Sequence, residues 1–362
     1  MAENPKDSDV SLAPVFDRYK LPRGTADNCE AFVRLRFSKP VQPAPSQGYC
    51  SYTVYVDGEG TVVQFRPGAH KLDLEISDAA CDVFGSLAPE TESLGTLEGT
   101  GLYAFSMKKM PGVSLANLRA ETDLLQAKPR QELIIRDFAH LQAMSWTHAA
   151  RNKATWEKRT VGSSLRWRLE LMANGLPSRF RNTVKSILVD LSEIEALPWT
   201  LSHGDFLPSN IMVYPDSGRI SGLVDWTEAE FLPFGIGMYG LQELLGEDRN
   251  GHYTYYPEAQ YLRDLFWDEL LSSLPELAMN PKRIALVRKA QTLGVLLWHG
   301  IAFDDGKLNR AVEEGKDDVE IERLDAFLLS SPRSGTRRLH TLDLSSASIL
   351  SLIRPRLSTR AQ

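Results

Sequence analysis

Several features that would narrow the class of this chain at once are scarce or missing. Only three cysteines occur, Cys29, Cys50 and Cys81; they have no metal-ligand spacing, and an odd number is a poor disulfide framework. A reducing compartment is the expectation. No stretch approaches the roughly eighteen consecutive apolar residues of a spanning helix, and Met1 to Asp9 is polar, without the apolar core of a signal peptide. A cytoplasmic protein without a membrane partner is expected. Basic stripes are missing as well: 41 Lys and Arg stand against 47 Asp and Glu, a net charge of -6. Phosphate backbones are bound by clustered positive charge, so no nucleic acid partner is expected. There is no internal repeat, and nothing in the sequence sets the oligomeric state.

What is present is ordinary globular composition, 43% hydrophobic and 24% charged over 362 residues. At about 100–200 residues per domain, two lobes are the natural division. The first 28 residues are polar with scattered prolines and read as a loose lead-in, and the apolar-containing stretch Cys29 to Arg36 fits a helical turn or a strand equally well. Three prolines then break the chain at Pro40, Pro43 and Pro45. Ser51-Tyr-Thr-Val-Tyr-Val56 and Thr61-Val-Val-Gln-Phe-Arg66 are rich in β-branched and aromatic residues, and Asp57-Gly-Glu-Gly60 between them is turn chemistry. The pattern predicts a β-hairpin. Helical spacing of Leu72, Ile76, Ala79, Ala80 and Val83 predicts a helix over His70 to Phe84, stopped by Gly85. A further strand is predicted over Gly101 to Met107, leaving through a tight turn at Met110-Pro-Gly.

Beyond residue 115 the periodicity turns helical. Helices are predicted over Arg130–Thr147, Ser164–Asn174, Arg179–Glu195, Glu258–Leu274 and Pro281–Phe303. From Ser331 onward the chain is rich in Ser and Arg and reads as unpacked, with room for a short helix at Ser345–Ile353. The resulting division is a flexible lead-in with a short element over 1–44, a β-rich lobe over 45–110, a helical lobe over 111–330 and a flexible tail over 331–362.

Chemistry concentrates between residues 201 and 226. Asp205 and Asn210 stand five residues apart, the interval of the Asp and Asn in a kinase catalytic loop. An Asp carboxylate accepts a hydroxyl proton, and an Asn amide oxygen is a hard donor suited to Mg²⁺. Ile211-Met-Val-Tyr214 reads as a strand, Pro215-Asp-Ser-Gly218 as a turn and Arg219 to Val224 as the returning strand. That hairpin would bring Asp225 back beside Asn210, as a second ligand. His203 reads as a structural hydrogen-bonding residue. Glu228, Glu230, Glu243, Glu247 and Asp248 make the downstream region acidic, which would suit a cationic acceptor; a solvated helix face would produce the same composition.

The run His203-Gly-Asp-Phe-Leu-Pro-Ser-Asn210, followed by Gly222-Leu-Val-Asp-Trp226, resembles the signature of the aminoglycoside phosphotransferase and choline kinase-like superfamily. It is most similar to the fungal branch in which the phrase continues as Trp226-Thr-Glu-Ala229 and Pro233-Phe-Gly235. Gln47 to Thr53, Val63 to Arg66 and Leu72 to Glu75 share the likeness, which covers roughly residues 45 to 300. The resemblance implies an α+β, bilobal, protein-kinase-like fold and an ATP- and Mg²⁺-dependent transfer to a hydroxyl or amine of a small molecule. By position, Asp205 would be the base and Asn210 and Asp225 the Mg²⁺ ligands. Arg66 would contact the donor phosphates with Glu75 as its ion-pair partner, Gly48 and Ser51 would form the phosphate cover, and Met107 would stand at the adenine-reading linker. Gly48 to Ser51 is a sparser loop than a Gly-rich one, and Arg66 stands where many kinases have Lys, so a planar donor fork replaces a compact ammonium. Two alternatives remain open: a kinase-fold binder without phosphotransfer, and an enzyme that phosphorylates transiently to drive ligation or dehydration.

Overall fold

The computed structural model describes residues 14–45, 47–48, 50–121, 128–151, 157–249, 252–304 and 307–329. The expected tail from Ser331 and the short helix at Ser345–Ile353 lie outside the described residues. Two compact units emerge, one built from residues 14–74 and 90–109, the other from 75–89 and 110–329.

In the first unit a short helix, α1 (Pro14–Arg18), precedes α2 (Thr25–Phe37), followed by β1 (Val41–Pro43), β2 (Tyr52–Val56) and β3 (Thr61–Pro67). Strands β4 (Thr91–Leu97) and β5 (Leu102–Lys108) complete an antiparallel sheet in the order β1-β2-β3-β5-β4. The predicted hairpin is β2–β3, with Val54 opposite Val63 and Tyr52 opposite Phe65. Strand β4 escapes the sequence reading because Thr, Glu, Ser and Gly leave it no apolar alternation. It is an edge strand, irregular between Ser93 and Gly95, and edges tolerate such polarity.

The lead-in departs from expectation. Residues 25–37 form one packed helix, which settles Cys29–Arg36 as helical and takes in the last of the residues read as loose: Thr25, Cys29 and Val33 recur every fourth position and are buried, a stripe one helix face wide. Phe32 meets Phe65 edge to face at 5.9 Å, and Phe16 of α1 lies 4.9 Å from Tyr52. The sheet would otherwise expose Val54, Val63, Phe65 and Ala104, which share one cluster with Cys29 and Val33.

The second unit holds α3 (Leu74–Phe84), β6 (Val113–Ser114), α4 (Leu115–Glu121), α5 (Lys128–Arg151), α6 (Leu165–Gly175) and α7 (Ser178–Glu195). Then come β7 (Trp199–Ser202), β8 (Ile211–Val213), β9 (Ile220–Leu223), β10 (Glu230–Pro233) and α8 (Gly240–Leu244). A small hairpin of β11 (Gly246–Arg249) and β12 (His252–Tyr255) leads to α9 (Ala259–Ser273), α10 (Pro275–Ala278), α11 (Pro281–His299) and α12 (Asp318–Leu324). Its core is continuous from Ile76 and Val83 of α3, through Ile135 and Phe138 of α5, to Leu293 and Leu296 of α11. Helix α11 opens in the expected way, with the Asn280 side chain accepting from the Arg283 amide and Pro281 in the first turn. It ends at His299, short of the predicted Phe303, because Ile301 turns to bridge Ala311. Among the described residues no helix is long and apolar enough to cross a membrane. The α+β class is as expected, with sheet in the first unit and mainly helix in the second.

The packed helix is testable by comparing two neighbours on it. Val33→Ala should lower stability in denaturant unfolding by about 1.5–3 kcal/mol, whereas Leu35→Ala, at a position 86% exposed, should change it by less than about 0.5 kcal/mol. Equal effects would contradict the packing of α2.

Candidate functional site

Between β7 and β8 the chain runs from His203 to Asn210 without regular structure, so its polar backbone groups need other partners. The turn begins at Gly204, whose φ is +77°, and a Cβ there would collide with the Glu228 carbonyl oxygen. Only glycine meets both demands. The Asp205 amide then donates to His203 Nδ1 at 3.3 Å, Phe206 N–H to the Tyr239 hydroxyl at 2.7 Å, Leu207 N–H to the Asp205 carbonyl at 2.9 Å, and Asn210 N–H to Leu207 O at 2.9 Å.

His203 is buried against Trp226, with ring centroids 4.6 Å apart, and its Nε2 lies 3.0 Å from Val224 O. Burial pulls its pKa down to about 4, against the opposing influence of Asp225 and the two backbone contacts. The ring is therefore neutral near pH 7. Since Nδ1 accepts from an amide, the proton sits on Nε2 and is donated to Val224 O. This matches the structural role read for His203.

Asp205 is 9% exposed. The Asn210 Nδ2 group donates to its carboxylate oxygen Oδ2 at 2.8 Å and to its backbone carbonyl at 3.0 Å. Both acceptors are oxygens, so the amide nitrogen must face Asp205 and the amide oxygen must point the other way. On the far side, Ile211 pairs with Leu223, and Val224 N–H donates to Asn210 O at 3.0 Å. The hairpin thus returns Asp225 to Asn210, as its length predicts. Asp225 is exposed, adopts the left-handed region at φ 63°, and accepts from Thr227 Oγ1 at 2.6 Å.

This donor set suits Mg²⁺, which prefers a few oxygen ligands from carboxylates and substrate phosphates over an all-protein cage.

The other expected site residues distribute between the two units. Gly48, Ser51, Arg66 and Met107 lie in the first and Glu75 in the second. Arg66 is buried at 3% exposure, opposite Tyr103 in the β3–β5 ladder, with its Nε donating to Gln64 at 2.9 Å. Ser51 is buried close to Gly48, and Met107 is half-buried near the end of β5. Glu75, in the first turn of α3, is largely exposed, with Arg159 at 3.7 Å. The two residues expected to pair, Arg66 and Glu75, belong to different units.

The acidic downstream region is not the open acidic face that composition suggests. Glu243 is buried between His299 and Arg323, each at 3.5 Å, and burial that would raise its pKa is outweighed by Arg323, His299 and Arg119, which hold it below the usual carboxylate range. Asp248 pairs with Arg323 at 2.5 Å, and Glu247 with Arg249 and the Tyr256 hydroxyl. Glu230, opposite Ser202 in the β10–β7 pair, accepts from the amides of Val161 and Gly162 at 2.7 and 3.2 Å. Most of this negative charge is matched from within the chain.

A feature missed in the sequence is Gly235-Ile-Gly-Met-Tyr-Gly240. Such spacing after a strand can cradle a pyrophosphate, but here the space beside Gly240 is filled by the Phe206 ring. The glycine spacing was the available signal, and it marks close packing on the turn that carries Asp205.

Burial pushes the Glu230 carboxyl up to about 7, although the two amides and Arg168 oppose the shift. The folded state then retains a proton that the unfolded chain loses near the ordinary Glu value of 4.5. Glu230's contribution is therefore present below pH 4.5 and lost as pH rises through 7. Glu230→Gln should flatten this part of the stability profile between pH 4.5 and 7 in denaturant melts; an unchanged slope would contradict it.

The sequence of residues 42–235 matches the model of the phosphotransferase enzyme family. No curated protein matches the chain. Among solved structures, the aminoglycoside phosphotransferase APH(4)-Ia is similar at 18% identity, with 75% of this chain and 90% of that chain covered and a TM-score of 0.44. A choline/ethanolamine kinase family protein from Mesorhizobium loti is similar at 14% identity, over 75% and 83%, with a TM-score of 0.44. An aminoglycoside phosphotransferase from Ralstonia eutropha, named as putative, is similar at 13% identity, over 74% and 95%, with a TM-score of 0.48. Since the family model spans more than half of the 362 residues, the chain belongs to the phosphotransferase enzyme family.

Proposed function

We propose that this protein is a small-molecule kinase: it transfers the terminal phosphoryl group of ATP to a hydroxyl or amine, with Asp205 as base and Asn210 and Asp225 as Mg²⁺ ligands. The observation that carries this reading is the Asn210 amide, bonded through nitrogen to the Asp205 carboxylate at 2.8 Å and tied through its backbone to the strand that ends at Asp225. One side chain thereby fixes a base and turns an oxygen donor outward.

Phosphoryl transfer has a loose transition state, so positioning and electrostatics do most of the work. Asp205 receives the proton of the acceptor as the acceptor–phosphorus bond forms and the bond to ADP breaks. Burial of the carboxylate keeps competing water away, and the Asn210 hydrogen bond holds one of its oxygens in place. Asn210 Oδ1 and the Asp225 carboxylate would hold Mg²⁺, which when bound neutralises charge on the donor phosphates. On the nucleotide side, Arg66 supplies a guanidinium for the phosphates with Glu75 as its partner, Gly48 and Ser51 cover the phosphates, and Met107 borders the adenine. The continuation Trp226-Thr-Glu-Ala229 favours the fungal branch of the family. Because the carboxylates after Asp225 are largely paired internally, a cationic acceptor gains little support from them.

Asp205→Asn removes the proton acceptor while keeping the shape, so it should reduce turnover about 10²–10⁴-fold and leave ATP binding, read by thermal shift, nearly intact. Asp225→Ala should abolish the Mg²⁺-dependent part of that thermal shift. Full turnover by Asp205→Asn refutes the assigned base.

A further inference from the structure

The turn carrying Asp205 is too short and irregular to hold itself. Its amides at 205, 207 and 210 are satisfied within the turn or by His203, but the amide of Phe206, the residue after Asp205, reaches out to another element. It donates to the phenolic oxygen of Tyr239 at 2.7 Å, across 33 residues of sequence. A buried amide left without an acceptor is costly, and here the acceptor is a side-chain hydroxyl from a distant part of the chain.

Tyr239 is well placed to meet it. The residue is 4% exposed, and its ring stacks on Trp298 of α11 at 4.9 Å with an interplanar angle of 15°. The next residue, Gly240, lies directly against the Phe206 ring, where a Cβ would collide. Phe206 also packs on Phe138 of α5 at 4.6 Å. Residue 206 is thus held twice, through its amide by Tyr239 and through its ring by Phe138 and Gly240.

The consequence falls on Asp205. Fixing the Phe206 amide fixes the plane of the peptide between the two residues, and so the direction in which the Asp205 side chain leaves the backbone. Asn210 holds the carboxylate end. Two constraints are needed because a carboxylate held only at its tip can still pivot about its backbone, and proton transfer is sensitive to sub-ångström misplacement.

We propose that Tyr239 is a positioning residue for the phosphotransfer reaction, acting through the Phe206 amide on the placement of Asp205. This rests on the reading of Asp205 as the base. The hydroxyl, not the ring, carries the effect, because the ring's stacking on Trp298 survives its removal.

The test is Tyr239→Phe in the full chain, read in two ways. Amide hydrogen exchange at Phe206 should be slow in the unaltered protein and faster in the variant by on the order of tenfold to a hundredfold, the scale of one buried amide losing its partner. Turnover of Mg²⁺-ATP to ADP in the presence of pooled hydroxyl- and amine-bearing metabolites should fall in kcat by a similar factor while KM for ATP stays within about twofold. Fast Phe206 exchange in the unaltered protein overturns the proposal without any variant. So does unchanged exchange in Tyr239→Phe, unchanged kcat despite faster exchange, or a rise in KM matching the fall in kcat, which would mark general distortion. Asp205→Asn assayed in parallel separates the two readings: if it stays fully active, the base assignment has failed and with it the catalytic role proposed for Tyr239, whereas an inactive Asp205→Asn beside a fully active Tyr239→Phe overturns the Tyr239 proposal alone.

Discussion

The hydrogen bond from Asn210 Nδ2 to the Asp205 carboxylate is the constraint on which the site depends. A carboxylate accepts and cannot donate, so the amide has one permissible orientation, and its oxygen is turned away from Asp205. One contact therefore settles two directions at once. The rest of the local structure serves to bring those two side chains within 2.8 Å. Gly204 makes the sharp turn after β7, neutral His203 bridges the turn to Val224, and the β8–β9 pairing returns the chain at Asp225.

How much of this was legible in the sequence depended on whether the determining contacts were local. The β2–β3 hairpin declared itself because β-branched residues flank an Asp57-Gly turn. The β8–β9 hairpin after Asn210 was equally readable, since its strand, turn and strand signals are local. Helix α2 was not, because its buried stripe is only Thr25, Cys29 and Val33 amid charged and polar neighbours. Its stability comes from the sheet it covers, a partner that no periodicity names. Strand β4 was hidden for the opposite reason, as a polar edge whose place is set by β5.

Electrostatics was the least legible layer. The run from Glu228 to Asp248 looks acidic on paper, yet Arg323, some 75 to 80 residues downstream, faces both Glu243 and Asp248. A buried carboxylate left unmatched would be neutral or costly, and the chain meets that requirement with arginines and a histidine from distant helices. Tyr239 belongs to the same category. Nothing within a few residues of Asp205 reports that its neighbour's amide is satisfied from α8's leading edge. Composition counts charges and donors, whereas only the fold says which of them are already used.

The proposed reaction at this site moves a phosphoryl group from a nucleotide to a small molecule. It is tested most directly by ³¹P NMR of the protein with Mg²⁺-ATP and pooled hydroxyl- and amine-bearing metabolites. Loss of the γ-phosphate signal is expected, with stoichiometric growth of ADP and of a new phosphate ester or phosphoramidate resonance, dependent on Mg²⁺. Consumption of ATP that yields only inorganic phosphate, or a phosphorylated product formed equally without Mg²⁺, would contradict it.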